Sequence, residues 1–209
     1  SGVDKVVVAD GGAVTFSSTI NGTEIVTETS SNLGIGAYAF EDWTSGQQNT
    51  SFGDSALRDV TDGDSNCAFG YATLSAHTEG DYNSAFGRTA LLSNTTGNYN
   101  NAFGYGSLND NTGGHNNSAF GSLALQVCTG SNNIAIGHLA GDNITSGSSN
   151  IIIGASVDAD SATADNQLNI GNTIYGDIST GLVGIGTTNP SGYYGEADNL
   201  VVKGSGHSG

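Results

Sequence analysis

The sequence predicts an all-β fold, a parallel β-solenoid (a β-roll or β-helix) of about nine coils of 17 residues each. The first observation is a glycine that recurs every 17 residues, with a single spacing of 16. An Asn precedes each of the first eight glycines by four residues, and an Ile or Phe directly precedes all of them. These strand glycines are Gly36, Gly53, Gly70, Gly87, Gly104, Gly121, Gly137, Gly154 and Gly171. Three columns in phase indicate a stack of similar coils.

The composition favours short strands and turns over helices. The chain has 209 residues, of which 33 are Gly, one is Pro and none is Met. Gly, Asn, Ser and Thr are weak helix formers that are common in turns. Such polar content is also typical of disordered chains, but a disordered chain has no reason to keep apolar columns in register.

The charge balance excludes some partners. Asp and Glu number 20 against four Lys and Arg, which gives a net charge of −16. Such a chain repels phosphate backbones, so we expect no nucleic-acid partner. No stretch of the sequence is apolar enough to cross a bilayer, and we expect no membrane insertion.

Residues 1–30 precede the repeat and are predicted to form an N-terminal β cap segment over the first coil. Apolar runs at 6–8 and 13–16 indicate strands, and Asn21-Gly22 is a hairpin signal before a strand at 24–26. A linker from a longer protein is the alternative interpretation.

Residues 31–172 are predicted to be the solenoid. The Asn-x-x-Phe-Gly part has a constant length, so we expect it to be the strand that sets the register. A second glycine column, seven residues earlier, predicts tight turns. We expect the Phe and Ile column to form the core. We expect the Asn side chains to hydrogen-bond from coil to coil. Pairs such as Ala90-Leu91 are expected to form a second strand or bend that packs against the Phe column. The turn glycines are Gly46, Gly63, Gly80, Gly97, Gly114, Gly130 and Gly147.

Residues 173–209 are predicted to be a C-terminal β segment. The repeat loosens before it, and the one proline, Pro190, lies where a repeating unit would stop. The run from Ala197 to Lys203 reads as one more strand.

Cys67 and Cys128 are expected to be unpaired. They are 61 residues apart, and with coils about 4.8 Å apart this places them roughly 17 Å apart along the stack. A disulfide requires Cα atoms within about 7 Å.

We also expect a homotrimer of side-by-side chains. Each coil offers few apolar residues, and ordering a residue costs about 1–2 kcal/mol of backbone entropy. One thin coil therefore looks underfilled. The face of small residues formed by Ala68, Ala85, Ala102 and Ala119 is the expected contact between chains.

Two resemblances follow from particular residues. The run Asn132-Asn133-Ile134-Ala135-Ile136-Gly137 resembles the head repeat of trimeric autotransporter adhesins, which form parallel β-rolls of three chains. The run from Leu182 to Pro190, after Gln167-Leu168-Asn169-Ile170-Gly171, resembles the segment that precedes the self-cleaving intramolecular chaperone domain of phage tail fibres and tailspikes. The second resemblance implies that the chaperone was removed, either by maturation or by truncation.

Candidate sites fall on two sets of residues. Asp62, Asp64, Glu79 and Asp81 flank two successive turn glycines, and oxygen ligands at this spacing could hold Ca²⁺; a solvated acidic corner is the alternative. Five aromatic residues are candidates for receptor contact, because aromatic faces on a rigid rod suit sugar rings; covering a groove between chains is the alternative. These aromatic residues are Trp43, Tyr71, Tyr82, Tyr99 and Tyr105.

These patterns predict a receptor-binding fibre protein that attaches to a cell surface through a glycan or a protein, most simply a phage tail fibre located on the virion tail. No catalytic motif is present, so we expect no enzyme. The alternatives are a bacterial adhesin head on a cell surface, a glycan-cleaving tailspike and an ice-binding solenoid. The last would need a flat Thr column, whereas the Thr residues are expected to drift in phase beside the turns. They are Thr78, Thr95, Thr112, Thr129 and Thr145.

Overall fold

The computed structural model describes residues 25–27, 31–188 and 200–202. It contains one sheet of 13 strands whose spatial order is their order in the chain. The strands are β1 (Ile25–Thr27), β2 (Leu33–Ile35), β3 (Thr50–Phe52), β4 (Cys67–Phe69), β5 (Ser84–Phe86), β6 (Asn101–Phe103), β7 (Ser118–Phe120), β8 (Ile134–Ile136), β9 (Ile151–Ile153), β10 (Gln167–Ile170), β11 (Ile174–Asp177), β12 (Leu182–Ile185) and β13 (Leu200–Val202).

The nine strands from β2 to β10 are parallel and pair each residue with its equivalent one coil later. Ala85 pairs with Ala102, and the short coil keeps this register because Ala119 pairs with Ala135. The strand glycines form one row, in which the Gly87 amide donates to the Phe69 carbonyl at 2.8 Å. No helix occurs among the described residues. The predicted β-solenoid is therefore confirmed, with about eight turns between the nine parallel strands.

The parallel register ends with antiparallel strands at both ends of the stack. β1 runs antiparallel to β2, and β11 runs antiparallel to both β10 and β12. β13 then pairs in parallel with β12. The strands predicted at 24–26 and within 197–203 correspond to β1 and β13. The predictions for residues 1–24 and for Pro190 lie outside the described residues.

The interior of each coil is formed by the Ala column, so the prediction of a Phe core is wrong. Ala68, Ala85, Ala102 and Ala119 are fully buried within the single chain, whereas Phe52 is 51% exposed. Successive side chains of a strand point to opposite faces. Because the Asn and Ala positions are two residues apart and both inward, the Phe position between Ala and glycine must point outward. The Ala column therefore cannot be the contact between chains.

A second part of the core is a column of leucines on a bend, at the position where pairs such as Ala90-Leu91 are predicted to pack. This bend is a turn rather than a second strand, and it packs on the Ala column rather than on the Phe column. The leucines have φ near +50°, a left-handed conformation that costs roughly 1–2 kcal/mol and that burial of a leucine, about 1.5–3 kcal/mol, offsets. These residues are Leu57, Leu74, Leu91, Leu108 and Leu125, all fully buried.

Volume changes in the two columns compensate for each other. Gly34 occupies the Ala column where Phe40 occupies the Leu column, and a Cβ on Gly34 would lie 2.7 Å from Phe40 Cδ2. Near the other end, Gly141 occupies the Leu column beside Ile152 in the Ala column, with 3.4 Å between a Gly141 Cβ and Ile152 Cγ1. Close packing explains why a large residue in one column accompanies glycine in the other.

The Asn column forms a buried hydrogen-bond ladder, as expected. Asn100 Oδ1 accepts from the Asn117 amide at 2.9 Å, and Asn100 Nδ2 donates to the Gly114 carbonyl at 2.8 Å. Each Asn thus satisfies the backbone of the next coil and of a turn glycine. The cysteines are free, as expected, and burial raises the pKa of Cys128 to about 11.

His77 is buried in the same column as Asn94 and Asn111, which occupy the equivalent position in the next two coils. Its Nε2 lies 2.6 Å from the Gly80 carbonyl oxygen, and its Nδ1 lies 3.1 Å from Asn94 Nδ2. A neutral ring donates from Nε2 to the Gly80 carbonyl and accepts at Nδ1 from Asn94 Nδ2. In that state Nδ1 cannot donate to the Asn94 carbonyl oxygen, 3.0 Å away, which only a ring protonated at Nδ1 can use. Burial lowers the pKa of His77, although hydrogen bonds to the Gly80 and Asn94 carbonyls and the charge of Asp81 oppose this.

We therefore expect acid to destabilise the chain through His77. The unfolded residue has a pKa of about 6.5, so below that pH the unfolded state binds a proton that the folded state does not. The free energy of unfolding should fall as pH drops below about 6.5, by at most about 1.4 kcal/mol per pH unit. His77→Asn, which reproduces the neighbouring coils, should lose this dependence. Urea unfolding of both proteins from pH 7 to pH 5 checks it; parallel pH profiles would contradict the prediction.

Candidate binding face

The outward face of the sheet carries no charge, and one of its two columns is apolar throughout. From β2 to β10, the outward positions of each strand, which flank the buried middle position, hold no Asp, Glu, Lys or Arg. Five Phe rings form a continuous stack on this face, which we call the Phe stripe. Neighbouring ring centroids are 4.8–5.8 Å apart and the ring planes differ by at most 11°. The rings belong to Phe52, Phe69, Phe86, Phe103 and Phe120.

Two pairs of tyrosines flank the Phe stripe. Tyr82 and Tyr99 precede the Asn column, and their rings stack with centroids 5.0 Å apart. Tyr71 and Tyr105 follow strand glycines and lie in one column with Arg88 between them. All four rings are about half exposed. Four of the five predicted receptor-contact residues are therefore half-exposed rings in two columns, one before and one after the strands.

Trp43 is the exception among the predicted receptor-contact residues. Its indole packs against the hydrophobic core, and its Nε1–H donates to the Gly46 carbonyl at 2.7 Å. It occupies the column of Val60 and His77, inside the coil. A half-buried ring with its one donor satisfied is a structural residue rather than part of the exposed face.

The four acidic residues make separate contacts and do not gather into one cluster. Asp64 Oδ1 accepts from the Gln47 amide at 2.7 Å, and Asp81 Oδ1 accepts from the Asp64 amide at 2.8 Å. Asp62 accepts from the Ser45 hydroxyl, and Glu79 is exposed. In the parts of the chain that the structure describes, no group of three or more His, Cys, Asp or Glu side chains could hold a metal ion. The calcium prediction thus has no support from side-chain geometry.

Asp64 and Asp81 belong instead to a second ladder that the sequence analysis missed. In the column after the turn glycine, each side chain accepts a hydrogen bond from the backbone amide one coil earlier. Asp, Asn, Ser and neutral His side chains can all accept a hydrogen bond. This shared property of the column is the feature of the sequence that could have predicted the ladder. The ladder residues are Asp64, Asp81, Asn98, His115, Ser131, Ser148 and Asp165.

The Thr residues also form a ladder, so the expectation that they drift in phase is wrong. Thr78 Oγ1 donates to the Thr95 carbonyl at 3.0 Å, and Thr95 Oγ1 donates to the Thr112 carbonyl at 2.9 Å. Thr129 and Thr145 make the same bond to the following coil. Four of the five hydroxyls thus donate along the stack, so the column does not present a free array of hydroxyl groups to ice.

One further concave feature lies at the end of the solenoid. A cavity of about 350 Å³ is lined by residues of the last coil and of β11 and β12, including Asp160, Asp165 and Asp177. Asp165 accepts from the Ser148 amide and Asp177 from the Ser179 amide. Two of the three carboxylates therefore accept hydrogen bonds from backbone amides.

No protein-family model, curated protein or solved structure matches this chain. Over the described residues, no helix has the length and apolar character needed to cross a membrane. The geometry of the face therefore carries the functional argument.

Proposed function

We propose that this chain is part of a trimeric fibre that attaches to a cell surface, as in a phage tail fibre. The observation that carries the proposal is an uncharged aromatic face on a chain of net charge −16. Contiguous exposed apolar side chains are typical of interaction sites, and charged residues are depleted in the cores of interfaces. The resemblance of residues 182–190 to the segment before a fibre chaperone supports the same function.

In this proposal three copies of the chain pack their Phe stripes toward a common axis. The interface differs from the one expected from sequence, because the Ala column is already buried. Each chain contributes five rings, of which Phe52 and Phe120 are exposed and the other three are partly buried. Burying the exposed part of each ring contributes on the order of 1 kcal/mol or less. Because every coil has the same spacing, in-register copies would meet ring by ring along the whole stack.

The first test is the mass of the particle. The full chain of 21.0 kDa should elute with three times that mass in light scattering at micromolar concentration. Phe86→Ser with Phe103→Ser should yield a monomer that keeps its β circular dichroism, since both side chains point away from the core. The matched control, Tyr82→Ser with Tyr99→Ser, removes two stacked rings outside the stripe and should remain trimeric. A monomeric or dimeric native chain would contradict the arrangement.

The second test is attachment. Labelled full chain, measured by flow cytometry on a panel of bacterial strains, should bind some strains saturably. The trimeric Tyr82→Ser/Tyr99→Ser variant should lose at least about tenfold in affinity, because aromatic faces are the proposed sugar contacts. Binding that is absent on every strain, or equal for both proteins, would count against the proposal. Release of soluble polysaccharide from the cells would favour a glycan-cleaving enzyme instead.

A further inference from the structure

Arg88 is the one described Lys or Arg without an ion pair. Of the chain's four Lys and Arg residues, only Arg58 and Arg88 lie in the described range. Arg58 Nε lies 2.6 Å from Asp59 Oδ1, so its charge is neutralised locally. Arg88 has no such partner among the described residues and is exposed. An isolated cation on so acidic a chain requires a physical reason.

Two tyrosine rings hold the Arg88 guanidinium. Its Cζ lies 5.5 Å from the centroid of Tyr71, one coil before, and 5.8 Å from that of Tyr105, one coil after. Cation–π contact of this kind restricts the side chain without neutralising it. No N–H group of the Arg88 guanidinium has a hydrogen-bond acceptor or an ion-pair partner among the described residues. These donors are therefore free for a planar, bidentate acceptor such as a carboxylate.

The charge of the chain and the tyrosines beside Arg88 determine which anions can bind there. A net charge of −16 repels polyanions at long range, but at physiological salt this repulsion is screened beyond about 8 Å. A ligand bound here must therefore gain from short contacts. A pyranose ring has an apolar face that can stack on the half-exposed Tyr71 or Tyr105, and a carboxylate on that ring would reach the guanidinium.

We infer that Tyr71, Arg88 and Tyr105 form a binding subsite for a carboxylate-bearing sugar. This inference rests on the proposed attachment function and names its receptor class as an acidic surface glycan. Arg88 supplies the bidentate contact, and the two tyrosines both position it and receive the sugar ring. The site exists only in the stacked solenoid, because its three residues are separated by 17 positions each.

The test compares three probes by NMR titration of the full chain. Methyl β-D-glucuronide should shift the Arg88 Nε–H and the ring signals of Tyr71 and Tyr105, and should bind at least about fivefold more tightly than sodium acetate or methyl β-D-glucoside. Arg88→Gln should weaken glucuronide binding about tenfold or more, and Arg88→Lys should weaken it less. Arg58→Gln is the matched control and should change nothing. Equal binding of glucuronide and acetate, or unchanged binding in Arg88→Gln, would overturn the subsite.

The outcomes separate this inference from the proposed function. Cell attachment that survives Arg88→Gln would reject the subsite and leave the attachment fibre intact. Glucuronide binding by a chain that attaches to no strain would reject the attachment function and leave the subsite. The melting temperature of each variant should match that of the native chain, because Arg88 is exposed, and this measurement checks that the solenoid remains folded.

Discussion

Gly87→Ala will destabilise the solenoid by about 3–5 kcal/mol. The residue has a φ of +133°, which L side chains rarely adopt, and an alanine Cβ would lie 2.5 Å from the Gly104 carbonyl oxygen and 2.6 Å from its carbon. These atoms belong to the backbone of the next coil and cannot rotate away. Relief would require the coils to separate, which breaks the hydrogen bonds between them. Urea unfolding at a fixed protein concentration measures the loss.

Alanine substitutions at two other glycines distinguish the strain of a positive φ from the clash with the next coil. Gly113 lies outside the row, has no positive φ, and an added Cβ would meet only Thr96 Oγ1, at 3.2 Å. Gly113→Ala should change the stability by less than about 1 kcal/mol. Gly171 has a φ of +60° with nothing within 4 Å, so Gly171→Ala isolates the left-handed strain of about 1–2 kcal/mol. If Gly87→Ala costs no more than Gly171→Ala, the contact between coils does not require glycine.

Asn100→Ala will destabilise the chain by about 2–4 kcal/mol. The substitution removes the acceptor of the Asn117 amide and one donor to the Gly114 carbonyl, both inside the stack. A buried amide left without a partner costs about 1–3 kcal/mol. The Gly114 carbonyl still accepts from Asn111 Nδ2 at 3.0 Å, so the Asn117 amide is the group left without a partner. Because Asn100 is fully buried, water cannot reach that amide without opening the coil. Hydrogen exchange should show faster exchange of the Asn117 amide.

The neighbouring residue provides the control for this substitution. Asn101 has the same chemistry, but it points outward on β6 and is only partly buried. Asn101→Ala should remain within about 0.5 kcal/mol of the native stability. Equal losses for the two substitutions would show that the ladder contributes nothing beyond side-chain size.

The repeat period carried most of the correct predictions. A spacing of 17 residues places equivalent residues one coil apart, so the strand positions, the glycine row, the Asn ladder and the unpaired Cys67 and Cys128 all followed from counting. The same count should have placed the Thr residues in one column. That error came from the 16-residue coil. Its missing residue places Thr129 one residue before its turn glycine instead of two, but Thr129 still donates the same hydrogen bond to the next coil.

The direction of each column could not be read from the repeat. Each strand has only three residues, so the period-2 alternation has too little length to show which of Ala85 and Phe86 points inward. The answer depends on Leu91, whose left-handed φ returns the chain over the Ala column and fills the space there. A column of large aromatic residues in register suggested that the Phe side chains fill the core. The interior of each coil is instead narrow and is filled by Ala and Leu.

The sequence by itself determined that this protein is a stack of 17-residue coils, because a period is a property of the chain alone. Only the tertiary structure decided which columns face the interior, that Asp64 and Asp81 accept backbone amides, and that Arg88 lies between Tyr71 and Tyr105. These contacts join residues in different coils, and their geometry depends on the path of the backbone between the strands. The candidate binding face is therefore a product of stacking, since no single coil contains it.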